Sequence, residues 1–565
     1  MSEITLRPYQ QTAVAAAFSE WADNDSTLIV MPTGTGKSVV FADIISRVQP
    51  KRVLVLAHRS ELIDQARRHV EKIGLPVAVE MADMYAEDCF WADTPIIVST
   101  VQTQIAGNAG AGRMTRFDPY DFGLVICDEA HHFTAKSFAK VLNHYRQNPD
   151  LKILGVTATP DRADEAALGQ VFQSVAYDYE ILDAINDGWL VPIEQQMVTI
   201  DGLDFSQIRT TAGDLNGADL AAIMEAEKNL HGIVSASLDI IGDRRTLVFA
   251  VTVKQAEMYA EIFNRHKPGM ADWVCGKTPK DQRHETFRKF GNGNTQILVN
   301  VGVATEGYDN PAVEVIVQAR PTKSRCLYSQ MVGRATRPLP GIVDRYDTPE
   351  ERRFAMANSA KPNCLVIDFV GNSGRHKLMT TADILGGRVS DEAVERAIAK
   401  AKAQGKAVNM AEAVEDEERI LREEVEERKR REAARKARIV GKAQFSSRSI
   451  NPFDVFQLEP ARSRGWDDGK VLTEKQANLL RKQGIDPAEM TYSQSRQVVN
   501  EMFRRWKGGL CTLKQANLLN KHGYETKDLT MKDASGLIDA LAKNGWRRPT
   551  NPPPIESRQE APPWA

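Results

Sequence analysis

Continuous runs of apolar residues, without alternating polar positions, recur through the first 195 residues of the chain. They are "TLIVM" (27–31), "RVLVLA" (52–57), "PIIVS" (95–99), "GLVIC" (123–127) and "KILGVT" (152–157). Strands that are buried on both faces have this composition, and helical stretches separate the runs. The pattern predicts a parallel sheet covered by helices, in a first domain of residues 1–195.

A second series of apolar runs repeats this pattern further along the chain. The runs are "TLVFAV" (246–251), "QILVNV" (296–301), "VEVIVQA" (313–319) and "NCLVIDFV" (363–370). We expect a second domain of the same kind at residues 231–388, after a connecting segment at 196–230. The predicted fold class is therefore α/β, with two tandem parallel-sheet domains followed by a helical C-terminal region.

The composition shifts near residue 390, where Ala, Glu, Lys and Arg become dominant. No Gly or Pro occurs from Gly405 to residue 440, and acidic residues precede basic ones, an order that suits the helix macrodipole. The pattern predicts a long charged helix within a linker of residues 389–465. A solvated spacer and a coiled-coil partner helix are both compatible with it.

An internal repeat follows the linker, within residues 466–548. "LTEKQANLLRKQG" (472–484) matches "CTLKQANLLNKHG" (511–523), and each copy is followed by a Thr, an amphipathic helix and a Trp. These residues are Thr491, Trp506, Thr530 and Trp546. We predict two helix-hairpin repeats that pack on their Trp side chains.

The C-terminal part of the chain is basic. Residues 428–565 hold 27 Lys and Arg against 15 Asp and Glu, although the formal net charge of the chain is −2. This distribution indicates an accessory nucleic-acid surface; a merely solvated basic region is the alternative. Tryptophans in this region could stack on bases, although packing between helices is the favoured interpretation for the pair in the repeats. The candidates for stacking are Trp466, Trp506 and Trp546. The Pro-rich end, 549–565, is expected to be disordered.

Cysteine spacing and the length of apolar runs bear on the cellular setting. The six cysteines are scattered without a CxxC pair, which argues against a structural zinc site and a disulfide framework. No apolar run reaches 18 residues, and the first ten residues lack the basic and apolar parts of a signal peptide. We therefore expect a cytoplasmic protein without a membrane span.

Two motifs point to a nucleoside triphosphate. In "PTGTGKS" the glycines allow the backbone N–H groups to face phosphate oxygens, Lys37 is placed to reach the β- and γ-phosphates, and Ser38 to hold Mg²⁺. The residues of this loop expected at the phosphates are Thr33, Gly34, Thr35, Gly36, Lys37 and Ser38. The strict pattern would have Gly at Met31, and a chance Gly-rich turn is the alternative.

The second motif, "DEAH" (128–131), directly follows the apolar run "GLVIC". Asp128 is placed to bind Mg²⁺, and Glu129 to orient and activate the attacking water. A surface acidic turn is the alternative, but the apolar run in front of the motif predicts burial, which disfavours carboxylates without a function.

Eight short motifs follow one another in a single order. They are "LRPYQ" (6–10), "PTGTGKS" (32–38), "AHRSEL" (57–62), "STVQT" (99–103), "DEAH" (128–131), "TATP" (157–160), "ATEGYDNP" (304–311) and "QMVGRATR" (330–337). The set resembles the superfamily 2 helicases of the DEAH-box kind, and especially bacterial RadD-type helicases and the motor parts of restriction enzymes. The resemblance covers residues 1–385 and not 390–565. It implies two RecA-like domains that close on one ATP with Mg²⁺ while they hold a nucleic-acid strand.

The same resemblance implies roles at the nucleotide for residues outside the two phosphate motifs. Arg7 and Gln10 would recognise adenine, and Gly307 and Asp309 would close on the ribose side. Gln330 would contact the γ-phosphate or the attacking water. Arg334 and Arg337, three apart and therefore on one face of a predicted helix, would reach the γ-phosphate from the second domain, with Arg337 as the arginine finger. Two surface arginines are the alternative.

For the nucleic-acid strand, the resemblance implies contacts to phosphates rather than to base edges. The matching residues are Arg59, Thr100, Gln102, Thr252 and Thr305. Thr157 and Thr159 of "TATP" would couple the state of ATP to the grip on the strand. Threonines that cap helices look identical in sequence, which is the alternative for each of them.

These observations predict an ATP-dependent helicase or translocase, acting on DNA rather than RNA by the resemblance alone. A motor that moves along duplex DNA without separating its strands is a second hypothesis. A third is an ATP-gated adaptor whose C-terminal repeats recruit a repair or replication protein. A metabolic enzyme with a phosphate loop would not need arginines from a second similar domain.

Overall fold

A computed structural model describes residues 5–549 of the chain, apart from short gaps. The gaps are 58–62, 64–66, 68–69, 72–73, 82–83, 87–94, 108–111, 133–135, 159–167, 212, 306–307, 374–375, 387–388, 440–451, 457, 459 and 461–468. The predictions for Arg59, Thr159, Gly307, Trp466 and the Pro-rich end therefore lie outside the described residues. The chain forms two compact units, residues 1–428 and 429–565.

The first domain is built on a parallel sheet of seven strands. The strands are β1 Ser26–Val30, β2 Arg52–Ala57, β3 Val77–Glu80, β4 Ile96–Thr100, β5 Phe122–Asp128, β6 Lys152–Thr157 and β7 Ser174–Asp178. Their order is β3-β4-β2-β5-β6-β1-β7, and every pairing is parallel. Strands β1 and β4 are buried along their whole length and β6 in all but its first residue, which confirms the parallel sheet predicted from continuous apolar runs.

Helices cover the two faces of this sheet. They are α1 Pro8–Glu20, α2 Lys37–Val48, α3 Val101–Ile105, α4 Lys136–Tyr145 and α5 Ile181–Asn186. The strand order places β6 between β1 and β5, so the ends of these three strands lie side by side. Residues that are far apart in sequence, after β1 and after β5, therefore meet at one edge of the sheet.

The second domain repeats the architecture with another seven-stranded sheet. Its strands are β8 Ile193–Asp204, β11 Thr246–Ala250, β12 Ala271–Cys275, β13 Ile297–Val301, β14 Val315–Ala319, β15 Cys364–Asn372 and β16 Val408–Asn409. They lie in the order β12-β13-β11-β14-β15-β8-β16, and all pairings are parallel except that of β16 with β8. The two tandem parallel-sheet domains are thereby confirmed. Two short strands, β9 Thr210–Thr211 and β10 Asp214–Leu215, form a separate hairpin.

Residues 196–230 are not a connecting segment, as we predicted, but part of the second domain. Strand β8 pairs with β15 along most of its length, so the domain begins before residue 195. Leu203, Phe205 and Leu220 lie in the same buried core as the strands β11 and β14. The strand was missed because its buried positions alternate with partly exposed ones, unlike the continuous apolar runs of the central strands.

The remaining helices of this unit lie around the second sheet. They are α6 Gly217–Met224, α7 Glu227–Ile241, α8 Val253–His266, α9 Lys280–Asn292, α10 Arg325–Val332, α11 Pro349–Ala357, α12 Thr381–Leu385, α13 Asp391–Gln404 and α14 Met410–Ile439. The single charged helix predicted from residue 391 is thus two helices, interrupted at Gly405, which has a positive φ of 61°. The beginning of the region is not a solvated spacer either, because Val394, Ala397 and Val414 are buried in a core that they share with the parallel-sheet domains.

The C-terminal unit contains the two repeats. Its described helices are α15 Pro452–Phe456, α16 Glu474–Lys482, α17 Tyr492–Lys507, α18 Leu513–Lys521 and α19 Met531–Lys543. Each repeat contains two helices, in agreement with the predicted hairpins. The prediction that they pack on their tryptophans is wrong. Trp506 is 72% exposed and Trp546 is 49% exposed. Aliphatic residues such as Val498 and Leu537 fill the core instead, because the tryptophans stand at or beyond the ends of α17 and α19.

None of the described helices has the length and apolar character that crossing a membrane requires.

Candidate active site between the two motor domains

The loop between β1 and α2 has the shape of a phosphate cradle. Gly34 and Gly36 have positive φ angles of 94° and 80°, which residues with a Cβ rarely adopt. The ammonium nitrogen of Lys37 lies 3.6 Å from Oε1 of Glu129 and 3.5 Å from the carbonyl of Met31. Helix α2 begins directly after the loop, at Lys37, and a helix N-terminus together with an ammonium group suits the binding of phosphates.

Asp128 and Glu129 stand at the carboxyl end of β5, beside this loop. Both residues are buried, and Oδ1 of Asp128 accepts a hydrogen bond of 3.0 Å from the backbone N–H of Glu129. Glu129 has a positive φ of 51°, which is uncommon for a residue with a side chain and is typically retained at functional sites. Ser38 and Asp128 supply the oxygen ligands that Mg²⁺ prefers when it is also bound to phosphates.

His131 connects the acidic pair to the neighbouring strand. Its Nδ1 lies 2.8 Å from Oγ1 of Thr157, at the end of β6, and 3.6 Å from Oε2 of Glu129. The sequence analysis gave His131 no role, although its place in "DEAH" was a signal. A continuous set of contacts therefore runs from the candidate hydrolytic carboxylate to the first residue of "TATP".

The two parallel-sheet domains enclose a cleft of about 770 Å³ at these strand ends. This volume lies within the range of nucleotide-sized sites. The predicted residues that line it are Arg7, Gln10, Thr33, Gly34, Thr35, Gly36, Lys37, Ser38, Asp128, Glu129, Asp309, Arg334 and Arg337. Thirteen predicted residues from segments more than 300 positions apart are thus brought into one cavity.

Arg337 is the arginine that faces the phosphate loop. Its guanidinium forms an ion pair with Asp309, and its Cγ would lie 3.1 Å from a Cβ built on Gly34. Asp309, which we predicted near the ribose, thus engages Arg337. The segment after α10 contributes this side chain across the domain boundary, as an arginine finger requires.

Arg334 has a different position from the one predicted. Helix α10 ends at Val332, so Arg334 and Arg337 do not share a helix face. Arg334 donates hydrogen bonds of 2.7 Å to the carbonyls of Thr305 and Tyr308. In this conformation its guanidinium holds the loop of "ATEGYDNP" while it lines the cleft.

Gln330 lies inside α10 and does not line the cleft. It is buried, and among the described residues its Nε2 has no hydrogen-bond acceptor. The structure therefore does not place this amide at the predicted γ-phosphate position.

Arg7 lines the cleft and contacts the second domain. Its Nη2 is 2.7 Å from Oδ1 of Asp344 in the second domain, and its guanidinium lies 4.6 Å from the ring centroid of Trp189. The guanidinium of Arg352 also approaches that ring, at 4.0 Å. Sequence reasoning missed Trp189, Asp344 and Arg352, because their chemistry comes from long-range proximity and not from a motif.

Gln10 contacts the phosphate loop. Its Nε2 donates to the carbonyl of Thr35 at 2.9 Å, and its Oε1 accepts from the backbone N–H of Arg7 at 3.0 Å. The amide of Gln10 would lie 2.6 Å from a Cβ at Gly36, so this close approach requires glycine. Gln10, which we predicted at the adenine, is thus packed against the phosphate loop.

The described residues that we predicted to hold nucleic acid do not line this cleft. Thr100 caps α3 and Thr252 caps α8, each by accepting the backbone N–H three residues further on. The hydroxyl of Thr305 donates to the carbonyl of Gly302 at 3.2 Å, whereas Gln102 is exposed. In this structure Thr100 and Thr252 therefore cap helices, which was the alternative to a phosphate contact.

Gly333 is where the second domain approaches the phosphate loop most tightly. A Cβ at this position would lie 2.7 Å from Cβ of Thr33 and 2.9 Å from the carbonyl of Ser329. We expect Gly333→Ala to hold the domains apart and to reduce ATP turnover by about 100-fold, the effect of a misplacement of about 1 Å at a catalytic centre. Steady-state ATPase measures this effect.

The matched control is Gly291→Ala in α9, where an added Cβ meets open space. This control should keep the turnover of the unmodified protein. Normal ATPase in Gly333→Ala would show that the two domains need not approach as closely as they do here.

Two family models match the part of the chain that builds this cleft. Residues 3–162 match "Type III restriction enzyme, res subunit", and residues 228–338 match "Helicase conserved C-terminal domain".

Curated relatives match the same region. The Saccharomyces cerevisiae protein named "Putative ATP-dependent helicase IRC3" is 31% identical over 386 residues, which cover 65% of this chain and 52% of that protein. The Schizosaccharomyces pombe protein named "Putative mitochondrial ATP-dependent helicase irc3" is 27% identical over 71% of this chain and 62% of its own length. The "DNA 3'-5' helicase XPB" of Mycobacterium tuberculosis is 28% identical over 59% of this chain and 58% of its own length.

The chain thus spans roughly half to three fifths of the length of these relatives. The matched segments lie within the two parallel-sheet domains and include most of the residues that line the cleft. The chain thus contains a domain that matches the res-subunit family and a domain that matches the helicase C-terminal family, and together they resemble the superfamily 2 helicases.

Proposed function

We propose that this chain hydrolyses ATP in the cleft between its motor domains and uses the cycle to move along DNA. One observation carries the proposal: the cleft encloses the phosphate loop and the acidic pair of the first domain together with Arg337 of the second. A site divided in this way is completed only when the domains approach each other. ATP binding and hydrolysis can therefore drive closing and opening.

In the proposed reaction a water molecule attacks the γ-phosphorus, the bond to the β-phosphate oxygen breaks, and ADP and phosphate leave. Glu129 orients the water and accepts its proton, while Lys37 and Arg337 stabilise the charge on the transferring group. Mg²⁺, held by Ser38 and Asp128, would neutralise charge on the phosphates. Lys37 and Glu129 lie 3.6 Å apart, so the two groups can act on the same phosphate.

DNA as the track is supported by the family match and by the relative named as a DNA helicase. The first experiment is steady-state ATPase of the full chain, alone and with single-stranded DNA, duplex DNA or RNA. Strong stimulation by DNA is the expected result. Binding of ATP without stimulation by any nucleic acid would favour the ATP-gated adaptor.

Movement along duplex DNA without strand separation is the second candidate, and the match to a restriction-enzyme subunit favours it. Displacement of a labelled strand from a partial duplex tests for unwinding. Displacement of a DNA triplex from a duplex tests for translocation without unwinding.

The C-terminal unit is proposed as an accessory nucleic-acid surface. Its described residues 469–549 hold 15 Lys and Arg against 8 Asp and Glu. Trp506 and Trp546 are exposed, and Trp546 stacks with His522 at a centroid distance of 6.1 Å. Exposed aromatic rings in a basic setting support stacking on bases; recruitment of a repair or replication protein is the alternative use of the same unit.

We also propose that the protein is located in the cytoplasm, which is a reducing environment. Five cysteines among the described residues are free and buried: Cys127, Cys275, Cys326, Cys364 and Cys511. Thiols persist in a reducing compartment. Cell fractionation tests this location. A mitochondrial location is the alternative, since the relative from Schizosaccharomyces pombe is named as mitochondrial.

The proposed phosphate contact at Thr252 is engaged by a carboxylate of the chain itself. Its hydroxyl donates to Oε1 of Glu225 at 2.5 Å, and Lys254 lies 3.2 Å from Oε2 of the same side chain. The hydrogen bond from Thr252 lowers the pKa of Glu225. We expect Glu225→Ala to raise affinity for single-stranded DNA by about five- to tenfold, because about 1 to 1.4 kcal/mol of competing interaction is lost.

Fluorescence anisotropy with a labelled oligonucleotide at fixed salt measures this affinity. Asp219→Asn is the control, because Asp219 is in the same segment but pairs with the exposed Arg209. It removes the same charge without freeing Thr252. Equal gains in both variants would indicate a general effect of charge and would remove Thr252 from the track.

A further inference from the structure

Lys361 is a buried lysine in the loop between α11 and β15, and none of the sequence motifs includes it. Its side chain belongs to a residue only 1% exposed, and its Nζ donates hydrogen bonds of 2.7 Å to the carbonyl of Pro311 and 2.6 Å to that of Arg337. Among the described residues, no carboxylate lies within ion-pairing distance of this ammonium group. Lysine is almost never buried so completely without such a partner.

Burial of this charge is unfavourable. Desolvation lowers the pKa of Lys361 to about 8. A buried ammonium that lacks a carboxylate must be compensated by hydrogen bonds of good geometry, and here both come from main-chain carbonyls. The segments to which those two carbonyls belong therefore indicate the role of Lys361.

Both carbonyls belong to segments that carry residues of the cleft. Pro311 ends "ATEGYDNP", two residues after Asp309, and the other carbonyl is that of Arg337 itself. Asp309 holds the side chain of Arg337 by an ion pair. Arg337 is thus fixed at two points, its guanidinium by Asp309 and its backbone by Lys361.

We propose that Lys361 is a positioning residue, which ties the backbone of Arg337 to the loop of Asp309 so that the guanidinium is presented to the γ-phosphate. The inference rests on the proposed function, because it assumes that Arg337 acts in hydrolysis. Lys361 does not line the cleft and acts through Arg337.

The first test is Lys361→Met, which keeps the aliphatic stem and removes both hydrogen bonds. We expect kcat for ATP to fall by about 10- to 100-fold, the effect of displacing a catalytic group by up to about 1 Å. The affinity for ADP should not change, whereas the affinity for ADP with aluminium fluoride should fall, because a finger contributes mainly in the transition state. If Lys361→Met does not fold, Lys361→Gln retains an N–H donor and takes its place.

Asn229→Ala is the matched control for a purely structural effect. Asn229 is also buried in the second domain, and its Nδ2 donates to two carbonyls, those of Ile223 at 2.8 Å and Gly202 at 3.4 Å. It lies away from the cleft. Its loss should lower the melting temperature without changing kcat or the binding of the aluminium fluoride complex.

The decisive measurement is the double variant Lys361→Met/Arg337→Ala. If Lys361 acts through Arg337, the lysine change has no further effect on kcat once the arginine is gone. An equal loss of kcat in both backgrounds would overturn the inference and leave the proposed function intact. Normal turnover of Arg337→Ala alone would instead overturn the arginine-finger part of the proposed function.

Discussion

Glu129→Gln will bind ATP and turn it over about 10²- to 10⁴-fold more slowly, the loss expected when a general base is removed. The substitution keeps the size of the side chain but removes its basicity. The phosphate cradle should survive, because the positive φ angles of Gly34 and Gly36 and the contact of Gln10 with the loop do not involve Glu129. Steady-state ATPase and calorimetric titration with ATP measure the two properties separately.

Asp121→Asn is the control for Glu129→Gln. Asp121 directly precedes β5, so it lies at the opposite end of the strand that carries Asp128, and its side chain is 53% exposed. Its loss should change neither binding nor turnover. Undiminished hydrolysis by Glu129→Gln would exclude Glu129 as the base, and loss of ATP binding would show that the carboxylate also shapes the loop.

Arg337→Ala is expected to lower kcat by about 10³-fold at nearly unchanged affinity for ATP. This loss is at the lower end of the range of kcat effects known for arginine fingers, because Lys37 still neutralises charge at the phosphates. Since Asp309 is the ion-pair partner of Arg337, the variant also leaves a carboxylate at the cleft without its cation. ATPase with saturating DNA, together with ATP binding, tests the separation of kcat from affinity.

Arg345→Ala is the matched control for this arginine. It lies in the same domain and is exposed, but it does not line the cleft. The same charge is therefore removed without touching the phosphate loop. A normal rate in Arg337→Ala, or an equal loss in Arg345→Ala, would contradict the assignment of the finger.

Each wrong prediction has a physical reason. Strand β8 was missed because its burial alternates along the strand, and continuous apolar runs mark only strands covered on both faces. Trp506 was expected in a helix core, yet which face of a helix is buried depends on the partner that packs against it. The prediction that Arg334 and Arg337 share a helix face was wrong because α10 ends at Val332. The ends of helices are weakly encoded in a sequence.

The sequence by itself determined the class of the two domains and the phosphate chemistry. Both depend on local rules: buried parallel strands need continuous apolar runs, and a phosphate loop needs glycines followed by Lys37 and Ser38 at a helix start. The identity of Asp128 and Glu129 as a candidate pair followed from their place after an apolar strand. These features could be inferred without knowing which strands are neighbours.

The tertiary structure alone decided the contacts between distant segments. Strand order places Thr157 beside "DEAH", so that His131 can bridge Glu129 and Thr157. The approach of the domains pairs Arg337 with Asp309 and presses Gly333 against Thr33. Such contacts depend on the packing of whole sheets and domains, a property of many residues together, and no local pattern in the chain encodes them.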